Sequence, residues 1–430
     1  MKIAYITAGA AGMYCGSCMR DNALVKALND LGHEAFLIPT YTPIRTDEED
    51  VSDQHIFFGG INVYLQQKYS LFRYTPWFLD ALLNLRPLLH WVSRFAGGTR
   101  AEDLGALTQS MLEGEHGYQK KEIAKLVHWL ADDLKPDLVN LTNALLCGFV
   151  RTFKQHHPTP VLVSLQGDDI FTESLPEPYK SRCLALIRER AQQIDAFIAT
   201  SRYYAEFMAG YFAVPPEKIH VVLPGLNLHG HGGAAPSREG QPFTVGYFAR
   251  ICPEKGFQNL VDAFIALRRL PHTSGVRLRV SGWLGDHQRA FFRAQVRKLQ
   301  AVGLAHDFEH LNCPDHASKV RFLQSVDVLC VPTVYREPKG LYVLEALANG
   351  VPVVQPAHGS FPELIERTGG GLLAQPNNPD DIAAKLHTLQ QDPRLRRELG
   401  QRGQAVVHEY FTAQRMARET LALYEHYLNQ

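Results

Sequence analysis

The sequence has no excess of charge of either sign and no long apolar stretch. Its 430 residues carry 44 Lys and Arg against 44 Asp and Glu, so the formal net charge is zero. A polynucleotide-binding surface is typically strongly basic, so we expect no nucleic acid partner. No uninterrupted apolar run approaches the roughly 18 residues that span a bilayer. The first residues form a short apolar run that predicts a buried strand rather than a signal peptide, and we expect a cytoplasmic enzyme.

Closely spaced cysteine pairs are also scarce. Seven cysteines are scattered mostly through apolar segments, and this odd count predicts reduced thiols rather than a disulfide framework. The exception is Cys15-Gly-Ser-Cys18, whose spacing is that of a redox motif or of half a zinc site. A second pair at similar spacing is absent, which disfavours zinc. A thiol pair in a core or lining a cleft is the favoured interpretation, with redox chemistry as the alternative.

Short apolar runs alternate with helical patterns, which predicts a parallel α/β architecture. A segment rich in Gly, Pro and His, 227–241, interrupts this rhythm and is interpreted as an interdomain linker. We therefore predict two doubly wound domains, 1–226 and 242–411, and a final helix over 412–430. The predicted strands are Lys2–Ala8, Glu34–Pro39, Leu138–Thr142, Val161–Leu165, Ala196–Ser201, Ile219–Leu223, Phe243–Ala249, Arg277–Ser281, Phe308–Leu311, Val328–Pro332, Val351–Gln355 and Gly371–Ala374.

Two segments each allow two interpretations. His229 and His231 in the linker have the chemistry to bind a metal, but no acidic or thiol residue is near in sequence, so a solvated linker is favoured. The segment 43–120 is rich in aromatic residues and is interpreted as an elaboration of the first domain. It would form an acceptor pocket or a local helical core, and its partly basic stretch 68–100 fits a peripheral membrane contact.

A glycine-rich loop follows the first predicted strand. Gly9 to Gly12 lie between that strand and a helix, where the backbone can approach an anionic ligand closely. The spacing differs from the dinucleotide fingerprint, and the second strand does not end in an acidic residue that would bind a ribose. A dinucleotide-dependent oxidoreductase is therefore disfavoured.

Charged residues follow two predicted strands of the second domain. Arg250 comes directly after one strand and Lys255 follows five residues later, an arrangement that suits a diphosphate. Glu337 follows another strand, and Glu345 lies on the helix that is predicted to begin near Gly340. The free amides of Gly340 and Leu341 at this helix start can hold phosphate oxygens.

With these motifs in place, the chain resembles the GT-B-fold glycosyltransferases of family 4, which are retaining enzymes that use nucleotide sugars. The resemblance covers nearly the whole chain and includes the glycine loop with Gly12, the Arg250/Lys255 pair and Glu337 with Glu345. It implies two Rossmann-like domains facing a central cleft, with the helix over 412–430 returning to the first domain.

The family resemblance also implies roles for these residues. Arg250 and Lys255 would bind the donor diphosphate, Glu337 would contact the transferred sugar, and Glu345 would contact the ribose. Gly12, Gly340 and Leu341 would belong to the donor site. No Asp-x-Asp motif occurs, so we expect no metal and no cofactor besides the nucleotide-sugar co-substrate. The acceptor would be a glycan, a lipid or a small molecule.

The sequence departs from the family at its usual histidines. Asn140, Thr142 and Asn143 stand after the third strand, and Gln166 precedes Gly-Asp in the next loop. None of these side chains can act as a general base at neutral pH. Asn143, Gln166 and Asp168 remain candidate contacts to the acceptor or sugar. The alternatives are an epimerase or hydrolase of GT-B fold, or a nucleotide-sugar or glycan-binding protein with impaired catalysis.

Overall fold

The computed structural model describes residues 1–9, 15–53, 57, 63, 66, 67, 101–233 and 240–430. The chain forms two compact units. The N-terminal unit contains Met1–Leu223 and Gln414–Gln430, and the C-terminal unit contains Pro224–Ala413. Gly12 and the stretch 68–100, for which a membrane contact is expected, lie outside the described residues.

The N-terminal unit is built on a parallel six-stranded sheet of order β2-β1-β3-β4-β5-β6. Most strand residues are buried, as expected for a parallel sheet covered on both faces. The strands are β1 Lys2–Thr7, β2 Glu34–Pro39, β3 Leu138–Leu141, β4 Val161–Leu165, β5 Ala196–Ala199 and β6 Ile219–Val221.

Helices connect these strands and cover the sheet. They include α1 Gly16–Asp30, α2 Ala101–Leu112, α3 Lys120–His128, α4 Val150–His156, α5 Asp168–Glu173, α6 Tyr179–Ala191 and α7 Arg202–Phe212. Two described residues of the aromatic segment join this core: Val63 is fully buried, and the Phe57 ring lies 4.6 Å from that of Trp129. At these two positions the segment forms a local core.

The C-terminal unit repeats this plan with a parallel sheet of order β12-β11-β10-β7-β8-β9. Its strands are β7 Thr244–Phe248, β8 Arg277–Ser281, β9 Phe308–Leu311, β10 Val328–Cys330, β11 Val353–Pro356 and β12 Gly371–Ala374. Its helices include α8 Phe257–Leu267, α9 Arg289–Ala301, α10 His316–Gln324, α11 Leu341–Ala348, α12 Phe361–Thr368, α13 Pro379–Gln391 and α14 Pro393–Tyr410. All twelve predicted strands are present, which confirms the two doubly wound sheets.

The last helix, α15 Ala413–Leu428, belongs mainly to the N-terminal unit. Its Tyr424 is fully buried, and the Tyr427 hydroxyl lies 2.9 Å from Nε2 of His220. The Arg415 guanidinium donates to the carbonyl of Leu223 at 2.8 Å. The chain therefore leaves the N-terminal unit near Leu223 and comes back to it for its final helix.

Each sheet has one point where the direction of winding reverses. In the first sheet this point lies between β1 and β3, and in the second between β7 and β10. In doubly wound sheets, ligands bind beyond the carboxyl ends of the strands at such a switch point. The topology therefore marks one candidate binding region in each unit.

Candidate active site

The predicted donor-binding residues lie at the switch point of the second sheet. Arg250 follows the carboxyl end of β7, and the loop that carries Glu337 follows β10. Because β7 and β10 pair in parallel, with Val245 opposite Val328, both segments leave the same edge of the sheet. The two motifs are far apart in sequence, and the fold brings them together.

A tight turn positions Lys255. Pro253–Lys255 forms one 3₁₀ turn, and Gly256 follows with a φ of 71° before α8 begins. A Cβ atom at Gly256 would lie 1.7 Å from the carbonyl oxygen of Pro332, so only glycine fits there. This close approach holds the turn against the segment that follows β10.

Lys255 and Glu337 form a buried ion pair. Nζ of Lys255 lies 2.6 Å from Oε2 of Glu337, and the two side chains are 11% and 5% exposed. The Tyr335 hydroxyl donates to the same carboxylate oxygen at 3.0 Å. The Lys255 ammonium also lies 5.0 Å and 4.9 Å from the ring centroids of Tyr335 and Tyr342, within cation–π range.

The charge on Glu337 is stabilised despite its burial. Burial alone would raise the pKa of this carboxyl, but Lys255, Lys339 and the Tyr335 hydroxyl outweigh it and lower the pKa to about 2. Glu337 is therefore ionised at neutral pH. Its environment suits a hydrogen-bond acceptor rather than a proton donor.

The backbone around Glu337 is held by a second loop. The carbonyl of Glu337 accepts from the amide of Ser360 at 2.8 Å. A Cβ at Gly359 would meet the amide nitrogen of Glu337 at 2.7 Å, and the φ of Gly359 is 62°. This close approach explains the glycine at position 359.

The helix that follows Glu337 begins where the sequence predicts. Gly340 is the N-cap of α11, and all eight helix residues are buried. The amide of Gly340 lies 3.4 Å from Oε1 of Glu337, so this amide faces the carboxylate in the structure. The amide of Leu341 lies in the first turn, where helix geometry provides no intrahelical acceptor.

Two further cations act on this site, Lys339 on the Glu337 carboxylate and Arg250 on the Tyr335 hydroxyl. Arg250 is exposed. Burial and then Glu337 raise the pKa of the Tyr335 hydroxyl well above its ordinary value, and the positive charge of Arg250 partly opposes this rise. Lys339 is only 7% exposed and lies between Glu337 and the N-cap Gly340. Lys255 and Lys339 thus both stabilise the Glu337 carboxylate, and Arg250 acts on the adjoining Tyr335 hydroxyl.

Glu345 has a partner that the sequence motifs did not reveal. Nζ of Lys319 lies 2.7 Å from its Oε1, and the two side chains are 3% and 8% exposed. A capping box, in which Asp315 accepts from the Ser318 amide at 2.7 Å, defines the start of α10 and places Lys319 on its first turns.

The linker histidine His231 is buried in the C-terminal unit, so the expectation of a solvated linker is wrong at this residue. It is 8% exposed, and its Nδ1 lies 2.8 Å from Nδ2 of Asn349, at the end of α11. Burial, and then the charges of Lys319, His316 and His408, lower the pKa of His231 to about 3. It is therefore neutral at physiological pH.

At the switch point of the first sheet lies a buried polar network centred on Asp21. Oδ1 of Asp21 accepts from the Tyr5 hydroxyl at 2.7 Å, from Gln166 Nε2 at 2.9 Å and from Arg20 Nη1 at 3.2 Å. Thr142 donates to the other oxygen. Arg20 and Asp21 have fully buried side chains. Hydrogen bonds to Thr142 and Gln166 thus join Asp21 to the segments that follow β3 and β4.

The three candidate acceptor contacts have different environments. Gln166 is 6% exposed and donates to Asp21 and to Thr142. Asp168 is 2% exposed and accepts from the amides of Ala144 at 2.6 Å and Gln166 at 2.9 Å, so it braces the loops after β3 and β4. Asn143 is half-buried and caps the turn that follows it by accepting from the Leu145 amide at 3.1 Å.

The burial of Asp168 affects its ionisation. Burial raises its pKa to about 6, although the amides of Ala144 and Gln166 oppose that shift. Neither oxygen of Asp168 is directed at an open surface, because both accept backbone N–H groups. Asn143 is the most accessible of the three candidates.

Sequence reasoning missed Tyr335, Lys339, Lys319 and Asp21. Tyr335 and Lys339 lie within two residues of Glu337, so their proximity was readable from the sequence. The contact of Lys319 with Glu345 joins two helices and carries no local signal. Among the described residues, no group of three or more His, Cys, Asp or Glu is arranged to hold a metal ion, and no helix in the same ranges is long and apolar enough to cross a membrane.

Comparison with known protein families assigns each unit separately. Residues 90–229 match the model described as Glycosyltransferase Family 4, and residues 234–406 match the model Glycosyl transferases group 1. The two matches adjoin and together cover most of the chain. The chain belongs to the GT-B-fold glycosyltransferases of family 4.

The curated relatives are distant, and each match covers only part of this chain and part of the relative. An MMP alpha-(1->4)-mannosyltransferase of Mycolicibacterium hassiacum is 29% identical over 238 residues, which are 55% of this chain and 55% of the relative. A D-inositol 3-phosphate glycosyltransferase of Jonesia denitrificans is 26% identical over 283 residues, which are 63% of this chain and 65% of the relative. The match thus spans between about half and two thirds of the length of these relatives.

Solved structures show the same fold along the whole chain. Sucrose-phosphate synthase from Thermosynechococcus elongatus superposes with a TM-score of 0.73 at 17% identity, covering 100% of both chains. Anabaena HepE in complex with UDP superposes with a TM-score of 0.70 at 17% identity, covering 98% of this chain and 99% of that one. At such identities the likeness defines the fold.

Proposed function

We propose that the protein is a retaining glycosyltransferase that moves a sugar from a nucleoside diphosphate sugar to an acceptor hydroxyl without a metal ion. The observation that carries this proposal is the buried Lys255–Glu337 ion pair before α11, where Lys339 also acts on the carboxylate and Arg250 acts on the Tyr335 hydroxyl. A diphosphate carries more than one negative charge, and the three cations that would attract it follow β7 and β10, the two strands at the switch point.

The cluster can stabilise a leaving diphosphate. As the bond between the anomeric carbon and the phosphate oxygen breaks, negative charge develops on that oxygen. Arg250, Lys255 and the N-terminal amides of α11 are the groups that would balance it. Charge-assisted hydrogen bonds contribute about 1.5–3 kcal/mol each, so a few such contacts account for a large rate effect.

The two glutamates would provide the remaining contacts to the donor. Glu337, ionised and held by Lys255 and Tyr335, would accept hydrogen bonds from the hydroxyls of the transferred sugar. Glu345, held by Lys319, would accept from the ribose hydroxyls. Both assignments extend the family resemblance to residues that the fold places on the loop after β10 and on α11.

The acceptor proton needs a destination other than a protein base. A new bond forms between the acceptor oxygen and the anomeric carbon, and a diphosphate oxygen on the same face of the sugar would take the acceptor proton. We propose this route because Asn143 and Gln166 cannot accept a proton at neutral pH and Asp168 is occupied by two backbone amides. Asn143 is our candidate for orienting a glycan, lipid or small-molecule acceptor.

A binding screen tests the donor assignment. A ligand that binds only the folded protein raises its apparent stability, so UDP-, GDP- and ADP-sugars are each tested by thermal shift. UDP-sugars are the first choice, because HepE has been solved with UDP and with UDP-glucose. We expect one class to raise the melting temperature of the wild type and to have little effect on Arg250→Ala.

The matched control is Arg394→Ala. Arg394 is 85% exposed and pairs with Glu398 on α14, away from the loops that follow β7 and β10. The Arg394→Ala variant should show the same rise in melting temperature with the donor as the wild type. Equal shifts in Arg250→Ala and the wild type, or no shift with any of the three classes, would remove the diphosphate assignment. Binding with release of free sugar would indicate a hydrolase, and binding without turnover a nucleotide-sugar-binding protein.

A further inference from the structure

We propose that Cys15 and Cys18 form a redox-active dithiol that a small-molecule disulfide converts reversibly into an intramolecular disulfide. The transferase chemistry proposed above makes no use of either thiol, so this inference stands independently of it. The two residues begin α1, at the switch point of the first sheet.

The backbone places the two side chains on the same side of the helix entrance. Cys15 is the N-cap of α1, with φ −117° and ψ 122°, and Cys18 is the third helical residue. N-cap and third-residue side chains face each other, as they do in a capping box. The carbonyl of Cys15 accepts from the amide of Met19 at 3.0 Å, so the first turn is closed around this pair.

The two side chains interact with each other. The Cys18 thiol is hydrogen-bonded to the side chain of Cys15 and also to that of Thr7, at the end of β1. A disulfide requires Cβ atoms about 3.5–4.5 Å apart, and residues three apart on a helical turn have Cβ atoms about 5–6 Å apart. Closing the bridge therefore requires the two Cβ atoms to approach by about 1–2 Å, and Cys15, as the N-cap, lies outside the regular helix, so its backbone can adjust more easily than that of a residue inside the helix.

The pair combines an accessible thiol with a buried one. Cys15 is half-buried, whereas Cys18 is 2% exposed. First the contact with Cys15 and then burial raise the pKa of Cys18 well above its ordinary value. Cys15 is thus the thiol that solvent reaches, and its position at a helix N-terminus favours the thiolate that attacks disulfides. Cys18 serves as the resolving thiol.

The reaction balances with a small disulfide such as oxidised glutathione as the oxidant. The Cys15 thiolate attacks one sulfur, the glutathione S–S bond breaks, and one glutathione leaves as a thiol while a mixed disulfide remains on Cys15. Cys18 then loses its proton and attacks the Cys15 sulfur, which releases the second glutathione. The protein dithiol is oxidised by two electrons, and both of its protons end on the two released glutathione thiols.

The test treats the full-length protein with oxidised glutathione, quenches with acid and counts the alkylatable thiols by mass spectrometry. The reduced protein has seven cysteine thiols. We expect two fewer after oxidation, a mass loss of two hydrogens, a Cys15–Cys18 bridge in the peptide map, and full recovery of the thiols with dithiothreitol.

Three variants make the result specific. Cys15→Ser keeps a favoured N-cap residue, so it should fold, and it should not form this bridge. Cys18→Ser should accumulate one glutathione on Cys15, because the resolving thiol is missing. Cys313→Ser is the matched control, because Cys313 is also half-buried; it should oxidise as the wild type does.

Several outcomes would overturn the proposal. In the wild type, the proposal fails if all seven thiols are retained, if a stable glutathione adduct remains on Cys15, or if the bridge maps to other cysteines. In the variants, it fails if Cys15→Ser shows an unchanged loss of two thiols, or if Cys18→Ser shows no adduct. None of these readouts depends on glycosyl transfer, so failure here and failure of the proposed function are distinguishable.

Discussion

The Lys255 ammonium and the Glu337 carboxylate lie 2.6 Å apart although 82 positions separate them in the chain. One follows β7 and the other follows β10, so their contact depends on the parallel pairing of two strands that are not consecutive. The pair is buried, and removing one partner leaves the other charge without its closest counter-ion. This relationship connects the stability of the C-terminal unit to its proposed chemistry.

Lys255→Met and Glu337→Gln should each destabilise the protein and lower its turnover at least tenfold. Breaking a buried ion pair from one side typically costs about 3–5 kcal/mol. The double variant should cost less than the sum of the two singles, because each single variant leaves one member of the pair buried without its closest counter-ion and the double variant leaves neither. Chemical denaturation of the four proteins measures this coupling, and strictly additive free energies would contradict it.

Lys319→Met should weaken donor binding through Glu345. The variant removes the ammonium that holds this carboxylate at 2.7 Å, so the KM for the donor should rise about tenfold, the equivalent of one charge-assisted hydrogen bond. It should also reduce the preference for a ribonucleotide donor over its 2′-deoxy analogue.

Lys298→Met is the control for this prediction. Lys298 pairs with Asp262 at 2.8 Å, but both side chains are more than two fifths exposed, at 44% and 41%. It should have no effect on the KM or on the preference for the 2′-hydroxyl. A Lys319→Met enzyme with wild-type values for both quantities would exclude Lys319 as a positioning residue for the ribose.

Asp21→Asn should destabilise the N-terminal unit. The carboxylate accepts from Tyr5, Thr142, Gln166 and Arg20, and Arg20 is completely buried beside it. Leaving that guanidinium uncompensated should cost about 3–5 kcal/mol. Asp30→Asn on the exposed end of the same helix should be nearly neutral. Equal unfolding midpoints for the two variants would show that the network contributes little to stability.

His231 should make the protein sensitive to acid. Its folded pKa is about 3, whereas an unfolded histidine titrates near about 6.5. Below pH 6.5 the unfolded chain binds this proton more readily, so the free energy of unfolding should fall as the pH drops from 6.5 towards 3. The slope for one proton is about 1.4 kcal/mol per pH unit.

His231→Asn should reduce that slope, because an amide does not titrate and can still accept from Asn349. The control is His306→Asn, since His306 is exposed. Denaturant titrations at several pH values between 3 and 7 compare the three proteins. Identical pH profiles for His231→Asn and the wild type would show that burial does not suppress protonation of His231.

The sequence by itself determined the two sheets. Most strands are short apolar runs bounded by polar or glycine-rich segments, so hydrophobic patterning and the alternation of strands with helices located all twelve strands. It also located the charged motifs after β7 and β10, because residues that follow parallel strands gather at one sheet edge. Glu337, Gly340 and the start of α11 were readable for the same local reason.

Only the tertiary structure decided which side chains meet. The partners of Glu337 and Glu345 lie 82 and 26 positions away, and no spacing rule connects them. The same holds for Asp21, whose contact with Gln166 spans 145 positions, and for His231, which the composition of its segment placed in solvent but which the fold buries against Asn349. Local patterns specify elements, whereas burial and pairing of charges depend on how distant elements pack.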